Sequence, residues 1–242
     1  RDLSVMLMVN EELCRAGSGG LVAALSVHNI ALPPILALGS NALKALVLPQ
    51  VLAGEKTVSL GITEPGGGSD VANMSTVARF DARGEGTGEY VVNGQKTLIT
   101  GGIEADYITL AVRTGGKGPS GISLLCVDGD TTGLSRTELM KTGWWCSDTA
   151  TLTFDDCRVP SERLLGQENE GFLGVMQNFN SERIMLAAQC VYFSELLIKE
   201  STDWAQQRQT FGKRLVDHQA IRHRLVDMNT SVLAARALLD SV

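Results

Sequence analysis

The middle of this chain leaves few folds open. Between residues 56 and about 165, six short β-rich segments follow one another: 57–62, 76–80, 90–92, 107–112, 122–127 and 150–154. Clusters of glycine, aspartate and asparagine separate them, at 83–86, 93–94 and 115–116. With no strand–helix–strand alternation, a Rossmann domain is not expected. Short strands at this spacing predict a barrel or sandwich. Asn93-Gly94, just after Tyr90-Val91-Val92, predicts a tight hairpin.

Both flanks read as helical. Val5, Met8, Val9 and Leu13 recur at helical spacing, and Gly17-Ser18-Gly19-Gly20 then breaks the pattern. A second helix is expected from Leu21 to Val27, stopping before Pro33, and a third from Asn41 to Leu52. Beyond the strands, one helix is expected from Gly171 to near Thr202. Another is expected from His218 through Leu239, with 205–212 as the connection and Gly212 as the stop. The fold class is therefore α+β. Residues 1–55 are a helical part, 56–165 a middle β domain, and 166–242 the start of a helical bundle.

Net charge is −6, which argues against a general nucleic-acid surface but permits a local basic site for a phosphorylated ligand. Five cysteines, an odd number with no C-x-x-C pair, fit a reducing compartment better than a disulfide framework. The three histidines form no cluster with carboxylates at metal-ligand spacing, so no metal is expected. The apolar run 30–52 is interrupted by Pro33, Pro34, Asn41, Lys44, Pro49 and Gln50, too often for a bilayer span. No signal peptide is visible, although the chain begins at Arg1 without Met. Bacterial cytoplasm or mitochondrial matrix is the expected location.

Two segments could carry chemistry. The first is Gly61-Ile62-Thr63-Glu64-Pro65-Gly66-Gly67-Gly68-Ser69-Asp70, after the apolar run Thr57-Val58-Ser59-Leu60. Three glycines after a proline permit positive φ and bare the main chain to a flat ring or an oxyanion. The loop has neither the Gly-Lys-Ser/Thr of a phosphate-binding loop nor a helix-opening G-x-G-x-x-G. On spacing alone it reads as a turn between strands. The second is the helix from Gly171, where Phe172, Val175, Phe179, Glu182, Leu186, Gln189, Phe193 and Leu196 form one stripe. A carboxylate on an apolar stripe is desolvated and its pKa rises, the usual tuning of a base for a weakly acidic C–H. A salt-bridged Glu at the helix edge is the plainer alternative.

Four motifs in order carry a resemblance. They are Thr63-Glu64-Pro65-Gly66-x-Gly68-Ser69-Asp70; Val92-Asn93-Gly94-Gln95-Lys96-x-x-Ile99-Thr100; Cys146-Ser147-Asp148-Thr149 with Phe154-Asp155-Asp156 and Val159-Pro160; and Gln207-Arg208-Gln209-Thr210-Phe211-Gly212 with His218-Gln219-Ala220-Ile221. Together they resemble the acyl-CoA dehydrogenase family, over the chain from about Asn10 to its end. Against that family the chain looks like a fragment lacking the C-terminal part.

The resemblance implies an FAD enzyme that converts a saturated acyl-CoA to the trans-2-enoyl-CoA and passes electrons to an electron-transfer flavoprotein. It implies flavin contacts at Leu60, Ile62, Thr63, Ser69, Leu98, Ile99 and Thr100, with Leu98 where most members have Trp. It further implies that Arg208, Thr210, His218 and Gln219 reach the cofactor of a neighbouring subunit, and hence a homo-oligomer, dimer or tetramer. Arg208 by itself would read as an ordinary solvated charge. Ser69, Asn180 and Arg183 match substrate-contacting positions. Glu182, just before Arg183, stands where the isovaleryl-CoA and long-chain branches carry the catalytic base. Cys146 has no His nearby in sequence and is expected to pack as a small apolar residue, while Asp106, Asp155 and Asp156 read as turn or surface carboxylates. An acyl-CoA oxidase and a non-catalytic flavin- or acyl-CoA-binding paralogue are the alternatives.

Overall fold

The computed structural model describes residues 2–83 and 88–241. The expected turn at 83–86 lies, from Gly84 on, outside them. Three helices come first: α1 (Leu3–Cys14), α2 (Gly19–Leu38) and α3 (Asn41–Leu52). The strands are β1 (Val58–Gly61), β2 (Val77–Asp81), β3 (Glu89–Thr100), β4 (Tyr107–Arg113), β5 (Ile122–Asp128), β6 (Leu134–Glu138), β7 (Thr149–Pro160) and β8 (Leu164–Leu165). Then follow α4 (Gly171–Gln207), the short pair β9 (Gln209–Thr210) and β10 (Lys213–Arg214), and α5 (Gln219–Leu239). By contacts the chain divides into two compact units, residues 23–180 and residues 1–22 with 181–242.

In the larger unit the strands form one sheet in the order β6-β7-β3-β2-β4-β5-β8, with β1 added in parallel to β4. Ala78, Val92, Ile108, Leu125, Leu152 and Val159, from five of its strands, all pack into one apolar cluster, so the sheet wraps a single core. The opposite faces of β4 and β5 bury Tyr107, Ala111, Leu124 and Cys126 with Ile35 of α2 and Val47 of α3. With both faces covered, β4 and β5 read as nearly unbroken apolar runs rather than alternating ones.

Three expectations change here. Asn93-Gly94 is not a hairpin turn, because β3 runs straight through it. The ladder with β7 slips between Val92 and Gly94, and Gly94 sits at φ +143. Across the slip the Asn93 amide exchanges two 2.9 Å hydrogen bonds with Asp156, so a turn-like dipeptide serves a bulge instead. Helix α2 does not stop before Pro33 but continues to Leu38, past two prolines. Ala31 and Ile35, fully buried in the core on either side, hold those turns where local preference would end them. Among the described residues, α2 is also the one helix long and apolar enough to cross a membrane by length and composition. In the larger unit its Ala31 and Ile35 are buried in the core, while Leu25 and Leu36 are exposed. β6, with its exposed polar pattern Leu-Ser-Arg-Thr-Glu, carried no strand signal in the sequence.

The smaller unit packs Cys14, Val22, Ala188, Tyr192 and Leu239. Arg236 ties it together, meeting Glu11 at 3.0 Å, Glu195 at 3.4 Å and Asp240 at 3.1 Å over the Tyr192 ring.

Candidate active site

In the larger unit, β1 delivers the chain into loop 61–70. Glu64 and Gly67 exchange two backbone hydrogen bonds, at 3.1 and 3.0 Å, around Pro65-Gly66. None of Gly66, Gly67 and Gly68 occupies the left-handed region, which corrects the expected use of these glycines. Their value is clearance. A Cβ at Gly66 or Gly67 would meet nothing within 4 Å, whereas one at Gly68 would come within 3.3 Å of the Thr63 methyl. The loop thus presents open main chain, as a flat ligand requires.

β3 holds this loop from behind. Thr97 N–H donates to the Thr63 carbonyl at 2.8 Å, and Lys96 Nζ donates to the Ile62 carbonyl at 3.1 Å. Lys96 is fully buried and its ammonium also meets Glu64 Oε1 at 2.8 Å. Glu64 accepts further from the Ser75 N–H and hydroxyl, both at 2.6 Å, and from the Thr76 N–H at 2.8 Å. Burial alone would raise the Glu64 carboxyl; the hydrogen bonds from Lys96 and Ser75 overcome it and bring it down to about 2. Burial pulls the Lys96 ammonium down to about 8, against the hydrogen bond and charge of Glu64. The sequence reading missed Lys96. A lysine inside a β-rich segment ending Leu98-Ile99-Thr100 was the available signal.

Beyond Lys96 the β3–β7 register slips again, from the pair Lys96 and Leu152 to the pair Ile99 and Ala150. Leu98 lies in that bulge at φ +58, with 65% of its surface exposed. A branched side chain in this conformation is strained, and such strain collects at ligand sites. The third motif secures the end of β3: Asp148 accepts the Gly101 N–H on its carbonyl at 3.1 Å and the Ile103 N–H on its carboxylate at 2.7 Å. Lys96 and Thr97 of β3 thus hold Ile62 and Thr63, Leu98, Ile99 and Thr100 follow on the same strand, Leu60 precedes the loop on β1, and Ser69 is exposed in the loop. Nearby in sequence, Cys146 is exposed rather than packed, beside exposed Trp144 and Trp145. The Trp145 ring N–H donates to the Lys141 carbonyl at 2.8 Å.

In the smaller unit, Glu182 is half-buried on α4. Its Oε2 is shut off from solvent and has no hydrogen-bond partner among the described residues. Burial raises its pKa, and the charge of Arg183 opposes the rise. The stripe itself differs from expectation after this point. Leu186 is exposed, and the buried positions are Met185, Ala188 and Tyr192, one residue earlier than Leu186, Gln189 and Phe193. Glu182 keeps its place on the buried face because Met185 lies three residues on. Asn180 and Arg183 flank it on the same helix, both exposed.

At the end of α4, Arg208 is exposed and its carbonyl accepts the Leu215 N–H at 2.8 Å, closing the β9–β10 hairpin. Phe211 and Gly212 make the turn, at φ +51 and +77. His218 caps α5, and its Nε2 lies 3.3 Å from the Thr210 hydroxyl. Arg208, Thr210, His218 and Gln219 are thus gathered around one turn at the mouth of α5.

Family models described as the N-terminal, middle and C-terminal domains of acyl-CoA dehydrogenase match residues 2–55, 59–157 and 169–242. The chain belongs to the acyl-CoA dehydrogenase family. Acyl-CoA dehydrogenase AFT10-1 of Alternaria alternata is 41% identical over 98% of this chain and 54% of its own length. The crystal structure of a probable acyl CoA dehydrogenase from Mycobacterium abscessus superposes with a TM-score of 0.92 at 46% identity, over 97% of this chain and 62% of that one. An acyl-CoA dehydrogenase from Bacillus anthracis, solved in complex with FAD, gives a TM-score of 0.89 at 31% identity, over 96% of this chain and 39% of that one. The chain spans about half the length of the curated relatives it matches.

Proposed function

We propose that the protein to which this chain belongs is an FAD-dependent acyl-CoA dehydrogenase with Glu182 as its base. The observation that carries the reading is the Glu182 carboxylate, with one oxygen buried and unpartnered and its pKa raised. A carboxylate in that state holds a proton more readily than a solvated one, which suits removal of the weakly acidic α-proton of a thioester. Neighbouring Asn180 and Arg183 are suited to contacting the substrate. FAD, when bound, supplies the acceptor for the β-hydrogen as hydride.

The residues fit that cofactor. Loop 61–70 offers open main chain at Gly66 and Gly67, and the hydrogen bonds from Lys96 and Thr97 to its Ile62 and Thr63 carbonyls tie it to β3, the strand that carries Leu98–Thr100. Ser69 is exposed for a polar contact. Arg208, whose guanidinium suits phosphate oxygens, would serve the pyrophosphate of a neighbouring subunit with Thr210, His218 and Gln219, which requires a homo-oligomer. Division into domains at 1–55, 56–165 and 166–242, an electron-transfer flavoprotein as acceptor, and residence in bacterial cytoplasm or mitochondrial matrix belong to the same reading.

Anaerobic titration of the full-length protein with a panel of saturated acyl-CoAs tests it. Bleaching of the flavin band by one chain class is expected. Glu182→Gln is expected to stay yellow and unbleached; unchanged bleaching would remove Glu182 from the role. Oxygen consumption during turnover would instead identify an oxidase.

A further inference from the structure

Lys96 is a fully buried cation in the middle of a strand, and its surroundings are unusually directed. Its three N–H donors meet Glu64 Oε1 at 2.8 Å, the Ile62 carbonyl at 3.1 Å and Met74 Sδ at 3.8 Å. The stem reaches them over Gly61, where a Cβ would lie 3.8 Å from Lys96 Cγ and 3.0 Å from Leu110. The bulge before Ile99 frees the next residue, Thr97, to donate to the Thr63 carbonyl. Two consecutive loop carbonyls are therefore held by two consecutive residues of β3.

The peptide bonds here are trans, so fixing a carbonyl fixes the opposite direction of the following N–H. With the Ile62 carbonyl on Lys96, the Thr63 N–H points away from the buried ammonium. Glu64 anchors the other end, joining the loop to the Ser75-Thr76 segment through three further hydrogen bonds. Stability does not require this arrangement, since buried ion pairs are commonly replaceable by apolar groups of similar volume without loss. An apolar group, however, cannot orient a carbonyl.

We propose that Lys96 and Glu64 are positioning residues for the cofactor. They set the direction of the Ile62–Thr63 peptide and so the hydrogen-bonding face that loop 61–70 offers to the flavin. The proposal rests on the flavin reading given above.

The test uses the full-length protein, FAD, and the variants Lys96→Met and Lys96→Met/Glu64→Gln. The single variant leaves a buried carboxylate without its cation and is expected to be unstable. The double variant removes both charges and is expected to fold and melt close to the parent. Its FAD affinity is expected to fall about tenfold or more, the scale of one lost oriented hydrogen bond to a buried group. The absorption bands of its bound flavin are expected to move toward those of free FAD. A stable double variant with the parent's FAD affinity and spectrum overturns the proposal while leaving the flavin reading intact. A parent protein that binds no FAD overturns the flavin reading, and this proposal with it.

Discussion

Gly94→Ala tests whether the loop is held by steric fit as well as by charge. A Cβ at Gly94 would stand 2.7 Å from Thr76 Cα, 2.7 Å from its hydroxyl and 2.8 Å from its Cβ. The backbone atom cannot swing aside as a side-chain tip could, because Thr76 is fully buried and bonded on both sides. Its N–H goes to Glu64 at 2.8 Å and its carbonyl accepts the Arg113 N–H at 2.8 Å. Alanine at φ +143 adds about 1–3 kcal/mol of backbone strain. Relieving the overlap adds about 1–3 kcal/mol more. A net loss of roughly 2–4 kcal/mol follows once the strand relaxes in part, which corresponds to amide exchange roughly 30- to 1,000-fold faster. Hydrogen exchange read by mass spectrometry on β3 and β7 peptides of the full-length protein is the assay. Gly66→Ala is the control: with open space above it, exchange in the same peptides is expected to stay within about twofold of the parent. Unchanged β3 protection in Gly94→Ala would refute the argument from close approach.

Other consequences concern ionisation and reactivity. Glu64 at about 2, against an ordinary carboxyl of 4.5, contributes stability that is present above pH 4.5 and lost as pH falls from there toward 2. The loss is up to about 3 kcal/mol, so Glu64→Gln is expected to flatten the acid limb of urea midpoints, and parallel limbs would contradict the assignment. Lys96 gives a second rise at higher pH: its ammonium, down at about 8 from 10.5, costs stability below 8 and makes stability rise with pH across that window, and the double variant Lys96→Met/Glu64→Gln is expected to abolish the rise in the same midpoints. The raised Glu182 carboxyl places the acid limb of flavin reduction above the ordinary carboxylate range, measurable by stopped-flow from low to neutral pH; a limb at or below that range would exclude Glu182 as the base. Alkylation of the folded protein is expected to label exposed Cys146 and Cys190 and to spare Cys126, whose thiol burial pushes up to about 12; labelled Cys126 peptides would speak against that burial.

Much of the fold was legible because periodicity reports burial. The runs at 107–112 and 122–127 announced β4 and β5 almost to the residue. What stayed hidden was set by contacts distant in sequence. Asn93-Gly94 has the local chemistry of a turn, and only contacts distant in sequence, Asp156 of β7 and Thr76 just before β2, show it as a bulge. Pro33 and Pro34 carry a local stop signal that the core at Ala31 and Ile35 overrides. The α4 stripe was read one residue late after Glu182, since an exposed Leu186 looks as apolar as a buried Met185. At the site, the glycines and the Glu182 stripe could be seen, whereas Lys96 showed only as a lysine within a β-rich segment, with nothing local to mark it as buried. A charged residue in a strand ordinarily marks the solvent side, and only the partner supplied by Glu64 allows it inside.

The long ladder between β3 and β7 has a consequence for how the protein is made. Lys96 faces Leu152, and during synthesis at about 5–20 residues per second that partner emerges roughly 3–11 s later. Until then β3 has β2 on one side and an open edge on the other, the kind of edge that recruits strands from other chains. The groups that meet the Lys96 ammonium, Ile62, Glu64 and Met74, are all made before Lys96, so along this edge only the backbone pairing waits for β7.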